Sequence, residues 1–224
     1  APLVLELPTD FPRPATQTYN GATLGRLVDK DVVLRLRQIA QERGATLYMV
    51  LLAAYFVWLS RYSGQRDIII GAPVAGRTHP DTEDLIGFFV NSLPIRATCA
   101  PTATFAEFLT TVQARTLRAL EHQELPLARL VEALNPERDN SRSPLFQVQF
   151  VLQNQPEEQV ELEGLEIERV MDRQAAQFSL TVSCVENRDG TIHASIEYNS
   201  DLFLPTTAER MLGQYTNLLS ALDA

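Results

Sequence analysis

The order of predicted helices and strands indicates an α/β fold, a two-layer sandwich of a mixed β-sheet and helices. Apolar residues recur at helical spacing in residues 29–43 and 104–121, and short apolar runs of strand type lie between such segments. No break in composition divides the chain. Its 224 residues, 45% of them apolar and 21% charged, are enough to form the core that this fold requires.

The first third of the chain is predicted to contain an arm, two helices and one strand. Residues 1–20 include four prolines, which prevent helix continuation, so we expect an extended arm there. Residues 29–43 form an amphipathic helix. Residues 46–62 form a second helix that is apolar almost all round and therefore deeply buried. Residues 67–74, DIIIGAPV, form a strand buried on both faces.

The middle of the chain continues with one strand and two helices. Residues 88–98 predict a strand that Pro94 restricts to a sheet edge or a bulge. A capping-box pattern opens the helix at 104–121. A shorter helix has Pro126 in its first turn and ends before Asn135.

The last third is predicted to be mostly β. Alternating apolar residues or β-rich composition place strands at 146–152, 160–170, 178–186 and 191–199. Asp189 and Gly190 form the hairpin turn between the last two strands. Thr206 and Glu209 form a second capping box, which would begin the final helix.

Composition excludes several classes of function. Acidic residues exceed basic ones by 28 to 19, and this net charge of −9 argues against a nucleic-acid partner. The longest apolar run, 47–59, is shorter than the roughly 20 residues that cross a bilayer, so no membrane partner is expected. Cys99 and Cys184 are too few for a disulfide scaffold, which favours a reducing, cytoplasmic setting.

The common catalytic patterns are missing from the sequence. There is no glycine-rich phosphate loop and no Gly-X-Ser-X-Gly turn. The three histidines, at 79, 122 and 193, lie far apart, so we expect no metal site. Both cysteines are expected to be small core residues. On this basis we predict no catalytic residue in the chain.

Several long motifs carry a resemblance to a known family. LIGFFVNSLPIR (85–96) is close to IGxFVNT/SLxxR, and RDNSRSPLFQV (138–148) is close to RDxSRxPLFQV. HQELPLA (122–128) is similar to HQDxPFE, although Glu124 and Leu127 depart from it. RYSGQRDIIIGAPVAGR (61–77) and LELPTD (5–10) also match. In this order the motifs resemble the condensation domain of nonribosomal peptide synthetases.

The resemblance implies two lobes similar to chloramphenicol acetyltransferase, with a tunnel between them. A donor acyl and an acceptor aminoacyl thioester would arrive on phosphopantetheine arms of carrier domains and form an amide. The family's HHxxxDG motif belongs to the N-terminal lobe, and this chain contains no adjacent histidine pair. We therefore expect only the C-terminal, acceptor-side lobe, with residues 1–20 as an interlobe arm and 21–224 as the lobe.

This assignment carries further expectations. The lobe would be inactive alone, so whether the chain is itself an enzyme stays open. Its partners would be the N-terminal lobe, donor and acceptor carrier domains and an adenylation domain, with no cofactor bound directly. The chain begins with Ala1 rather than Met, so we expect a processed chain or a piece of a longer one.

The resemblance also implies candidate residues. The tunnel or acceptor side would contain Arg77, Asn91, Ser92, Arg142, Ser143, Gln147 and Gln149. For five of them an alternative stays open: Arg77 would pair with Asp81 or Asp84, Asn91 and Ser92 would satisfy backbone groups, and the two glutamines would face solvent. Structural roles within the motifs would belong to Gly71, Gly76, Gly87, His122, Gln123, Arg138, Asp139 and Ser141.

Other expectations concern surfaces. Residues 88–90 would lie in the core. Arg35, Arg37 and Arg43 would form a basic patch for an acidic carrier domain. Residues 154–164 would form an arm or hairpin, and an apolar surface would be exposed where a second lobe packs. The alternative function is a non-catalytic docking module of the same fold. An epimerization domain is disfavoured, because the motifs at 85–96 and 138–148 are of condensation type.

Overall fold

A computed structural model describes residues 4–137, 139–153 and 175–222. Within these ranges the chain forms six strands, five α-helices and one short 3₁₀ helix. In order they are β1 (Gly21–Val28), α1 (Lys30–Glu42), α2 (Leu47–Ser63), β2 (Asp67–Val74), the 3₁₀ helix (Pro80–Thr82), β3 (Asn91–Thr98), α3 (Phe105–Glu121), α4 (Leu127–Leu134), β4 (Val148–Gln153), β5 (Leu180–Glu186), β6 (Ile192–Asn199) and α5 (Pro205–Ser220).

The six strands form one mixed sheet in the order β1-β6-β5-β4-β2-β3. The central strand β4 pairs in parallel with β2 and β5, and the remaining pairs are antiparallel. The predicted mixed sheet is therefore confirmed. β3 lies at an edge, as the proline within it requires.

Helix α2 forms the centre of the core. Its residues from Val50 to Phe56 are completely buried. The inward face of β2, formed by Ile68, Ile70 and Ala72, belongs to the same apolar cluster, as do residues of α1, α3 and α5. Helix α4 instead packs near Phe146 and Phe178 in a smaller cluster that includes Ile69 of β2. Because side chains alternate along a strand, α4 lies on the opposite face of the sheet.

The termini of the two central helices follow from their sequences. Thr46 Oγ1 accepts a hydrogen bond from Met49 N at 3.3 Å, and Gly64 ends α2 in the left-handed conformation with φ of 72°. At the start of α3, Thr104 and Glu107 form both hydrogen bonds of the predicted capping box. The predicted bounds of these helices are confirmed to within one residue.

Two strands differ from the predictions. Strand β1 has no counterpart among the predictions, because this edge strand buries only Val28 and lacks a clear apolar alternation. Strand β3 begins at Asn91, and placing residues 88–90 in the core is wrong: Phe88 is 91% exposed and Val90 is 50% exposed. The predicted strand at 160–170 lies outside the described residues.

The capping box predicted at Thr206 and Glu209 is wrong. Helix α5 begins at Pro205, and its N-cap residue Leu204 has no side chain that can accept hydrogen bonds. The carboxylate of Asp10, in the N-terminal arm, performs that task. It accepts hydrogen bonds from Leu204 N at 2.8 Å and from Thr207 Oγ1 at 3.0 Å. A cap distant in sequence thus fixes the arm to the last helix.

None of the described helices is by itself both long and apolar enough to cross a bilayer. Helices α1 and α2 meet that criterion only as a pair, and they are bent by 103° at their junction. Since α2 is buried within the core, its apolar composition is explained by packing.

We predict that Asp10→Ala destabilises the chain by about 1 kcal/mol, the usual cost of losing a helix cap. The free energy of unfolding would be measured in urea. The control is Asp84→Ala, which removes an exposed carboxylate from a loop and is expected to change stability by less than about 0.5 kcal/mol. Equal losses in the two variants would contradict the capping role.

Candidate functional site

Three of the predicted tunnel residues line one cavity. Arg142, Ser143 and Gln147 contribute to a cavity of about 480 Å³, between α4 and the segment that leads into β4. Val4 of the arm also contributes to the lining of the cavity. Residues 139–147 of the RDNSRSPLFQV motif therefore contribute both polar and apolar groups to a concave surface.

Arg142 is held in place by two carboxylates. Its side chain is only 17% exposed. Nη1 lies 3.0 Å from Glu6 Oε1, and Nε lies 3.0 Å from Asp139 Oδ2. Because Glu6 belongs to the arm and Asp139 to the motif, the guanidinium joins two distant parts of the chain beside the cavity.

A second buried link is the side-chain amide of Gln147. Its Oε1 accepts a hydrogen bond from Leu5 N at 2.8 Å, and its Nε2 donates to the carbonyl of Ser143 at 3.0 Å. The residue is 4% exposed, so it does not face solvent. Ser143 Oγ in turn lies 3.3 Å from Nε2 of Gln17, farther along the arm. The side-chain amide of Gln147 thus fixes the cavity wall relative to the arm.

The sequence analysis missed the arm residues that complete this cluster. Arg13 donates to Ser179 Oγ at 3.2 Å and to the carbonyl of Ser141 at 3.5 Å. Burial, reinforced by the positive charge of Arg142, lowers the pKa of Arg13. The LELPTD match pointed only to residues 5–10, and no pattern in the arm indicated that Arg13 and Gln17 fold back onto the motif.

Asp139 and Ser141 form the turn that precedes Arg142. Asp139 Oδ1 accepts hydrogen bonds from Ser141 N at 2.8 Å and from Ser141 Oγ at 2.6 Å. These bonds, together with Arg142, lower the pKa of the Asp139 carboxyl. Arg138, the other expected member of the turn, lies outside the described residues.

The chain enters β4 through a strained residue. Leu145 has a φ of 67°, an unusual conformation for a residue with a branched side chain. It is buried at the cavity wall, and the next residue, Phe146, packs against Gly71 of β2. A Cβ atom on Gly71 would lie 2.2 Å from that ring, so this position requires glycine.

Gln149, half-buried, lies opposite Gly71 in the sheet, and its side chain is not part of the cavity.

Arg77 organises a separate region, the loop between β2 and β3. Its guanidinium donates to the carbonyls of Thr82, Glu83 and Leu85. It also lies 4.3 Å from the centre of the Phe89 ring, a cation–π contact. The groups it binds are backbone carbonyls rather than the carboxylates of Asp81 and Asp84. Arg77 therefore holds this loop in shape.

The loop held by Arg77 presents large apolar side chains to solvent. Ile86 and Phe88 are almost fully exposed, and Leu85 and Val90 are about half exposed. Gly76, with φ of 68°, starts the loop where a Cβ atom would meet the carbonyl of Phe89. Gly87 lies between the exposed residues, and a Cβ there would approach the Phe89 ring to 2.9 Å. An apolar patch of this kind marks an interaction surface.

Asn91 connects this loop to the turn between α3 and α4. Its Nδ2 donates to the carbonyls of Gln123 and Leu125, and its Oδ1 accepts from the N–H groups of Leu127 and Ser92. The Asn91 side chain thus satisfies backbone groups of the HQELPL turn. Ser92 is half-buried beside it, and His122, the C-cap of α3, is exposed.

The described residues contain no group of three or more His, Cys, Asp or Glu side chains that could hold a metal ion. Burial raises the pKa of the Cys184 thiol to about 12 and also raises that of the half-buried Cys99. Neither thiol is therefore activated as a nucleophile. The cavity exposes polar and apolar groups of the motif on its wall, Arg142 among them.

Comparisons with known proteins agree with the fold and the motifs. The family model described as Condensation domain matches residues 2–223. The chain therefore belongs to the condensation domain family. Tyrocidine synthase 2 of Brevibacillus parabrevis is 45% identical over 222 residues, which are 99% of this chain and 6% of that protein.

Two solved structures are similar to the chain. One is a four-domain nonribosomal peptide synthetase bound to AMP and glycine, with a TM-score of 0.87 and 29% identity. The match covers 97% of this chain and 18% of that one. The other is the complex of the X-domain and OxyB from teicoplanin biosynthesis, with a TM-score of 0.86, 26% identity, and 96% and 48% coverage. The chain thus spans only part of each relative.

We predict that Gln147→Leu destabilises the chain by about 1–3 kcal/mol, because Leu5 N and the Ser143 carbonyl lose their buried partner. Urea unfolding would measure the loss, and amide hydrogen exchange would show reduced protection at Leu5. Gln149→Leu, two residues farther along the chain, is the matched control. Its side chain makes no hydrogen bond in the described part of the chain, so its effect is smaller. Unchanged Leu5 protection in the Gln147 variant would contradict the link.

The Asp139 carboxyl gives a prediction about pH. Its folded pKa lies below its unfolded value, so its contribution to stability is present above the unfolded pKa and is lost as pH falls through the lowered folded pKa. NMR titration of the carboxyl carbon would show this value. Ser141→Ala should raise it more than Arg142→Gln, because the bonds from Ser141 are the larger cause. The opposite order would show that the ion pair dominates.

Proposed function

We propose that the chain is the C-terminal, acceptor-side lobe of a condensation domain that forms amide bonds between carrier-bound thioesters. The observation that supports this most strongly is the cavity where Arg142, Ser143 and Gln147 meet the arm. The wall of this cavity is formed by residues of the RDNSRSPLFQV motif, which is distant from the arm in sequence. The domain division at residue 20 belongs to the same proposal.

Coverage of the structural relatives supports the single-lobe assignment. The matched region amounts to 48% of the X-domain chain, as expected for one of two similar lobes. The exposed apolar patch formed by Leu85, Ile86, Phe88 and Val90 supports the same view, since a second lobe would cover it. The sequence of this chain contains no HHxxxDG motif.

The proposed chemistry divides the work between two lobes. The acceptor amine attacks the donor thioester carbonyl, a C–N bond forms, the C–S bond breaks, and the amine proton leaves with the released thiol. The chain described here offers a cavity that binds and orients one arm, which lowers the entropic cost of bringing the two thioesters together. The group that handles the proton would belong to the HHxxxDG lobe.

The proposed partners are those of such a cycle. Donor and acceptor carrier domains would present the substrates on phosphopantetheine arms, and an adenylation domain would load the acceptor. The cavity of about 480 Å³ is large enough for part of such an arm. The proposal also places the chain in the cytoplasm, in agreement with its two unpaired cysteines.

We predict that the chain alone forms no amide between loaded donor and acceptor carrier domains. Adding a separately prepared N-terminal lobe with HHxxxDG should give product, because the proton-handling group and the missing tunnel wall are then present. Mass spectrometry of the carrier-bound species would detect the amide. Product from the chain alone would contradict the proposed division of work.

A second candidate function is a docking module that makes no bond. The similarity to an X-domain solved in complex with OxyB supports this alternative, because that relative was captured with a protein partner. Measured binding of the N-terminal lobe without amide formation would favour docking.

A further inference from the structure

Helix α3 carries a stripe of basic side chains, two of which are arginines. Arg115, Arg118 and His122 follow one another at spacings of three and four residues, so they share one face of the helix. Both arginines are exposed, and in the described part of the chain no carboxylate lies within ion-pairing distance of either. Two like charges three residues apart repel each other, and neither arginine forms an ion pair within the described residues that would offset this cost.

The stripe borders a groove. A cavity of about 510 Å³ runs between α3 and the edge strand β3, lined by Arg115, Arg118 and His122 together with Arg96. Arg96 lies on the strand side and is engaged with Asp67, at 2.6 Å and 2.8 Å. The two unpaired arginines are thus the groups available to a ligand. In a chain of net charge −9, such a basic groove is a local exception.

We propose that this groove is a docking site for a carboxylate-rich segment of a partner protein. The basic side chains of α3 that line the groove run from Arg115 to His122, and the rise between them is roughly 10 Å. That length exceeds the size of one phosphate group and matches several carboxylates spaced along a polypeptide. Arginine forks also bind carboxylates in a two-point geometry.

The edge strand itself disfavours a different mode of docking. Pro94 removes a backbone donor from β3, and the charged Arg96 lies farther along the same strand. Both features are typical protections against the addition of a further strand. A partner in this groove is therefore recognised by its charge rather than by backbone pairing.

The basic patch expected on α1 is a weaker candidate. Arg37 is paired with Glu186, and Arg35 donates to the carbonyl of Ser220. Arg43 is exposed without an ion pair in the described residues, but it lies apart from a second such arginine, whereas Arg115 and Arg118 lie one helical turn apart beside a groove. This inference does not depend on the amide-forming role, because it uses only charge and geometry at a different surface.

The test measures binding of a fluorescein-labelled oligoglutamate peptide to the chain at low salt by fluorescence anisotropy. Arg115→Gln with Arg118→Gln should weaken binding by about tenfold, the expected effect of losing two exposed charge pairs. Arg115→Lys with Arg118→Lys should retain most of it. The matched control, Arg35→Gln with Arg43→Gln, removes the same charge from α1 and should leave binding nearly unchanged.

Other results would overturn the proposal. Equal weakening in the α3 and α1 variants would show that net charge alone attracts the peptide. If oligoglutamate does not bind, an acidic segment is excluded as the partner. If the chain then binds inorganic pyrophosphate, and the α3 variant does not, the groove is a phosphate site instead. Circular dichroism should show unchanged folding, because both α3 substitutions are at exposed positions and relieve repulsion.

Discussion

The buried side-chain amide of Gln147 is the contact on which the site depends. It ties the backbone of Leu5 in the arm to that of Ser143 in the motif, and its own backbone carbonyl accepts from Ser179 beside β5. A glutamine in such a place is costly unless its polar atoms are satisfied. Its burial therefore indicates that arm, motif and sheet are fixed to one another as a unit.

Other contacts also hold the arm against the motif and the final helix. Glu6 reaches Arg142, Gln17 reaches Ser143, and Asp10 caps the final helix. Residues 4–20 of the arm form no helix, and their strand-type contact is an isolated bridge at Asn20. The side-chain bonds, a few backbone hydrogen bonds to residues 140 and 202, and the burial of Leu5 and Leu7 keep the arm in place. The cavity is consequently a product of long-range contacts and not of the motif alone.

Much of the fold was predictable, and the exceptions have physical causes. The buried helix α2, the capping box of α3 and the isoleucine-rich β2 follow from apolar spacing and local hydrogen bonding, which act within a few residues. β1 and the start of α5 were not predicted correctly, because β1 packs little apolar surface and the cap of α5 comes from Asp10, distant in sequence. The site shows the same contrast: the motif indicated Arg142 and Gln147, whereas nothing local indicated Arg13 or the exposure of Phe88.

The most direct test of this account maps the path of a pantetheine arm. A carrier domain bearing a photoreactive pantetheine thioester would be mixed with the chain and the HHxxxDG lobe, irradiated, and digested for mass spectrometry. The account predicts crosslinks to residues of the cavity wall, such as Arg142, Ser143 and Leu145. Crosslinks confined to α4's exposed surface or to the α3 groove, with none in the cavity, would contradict it.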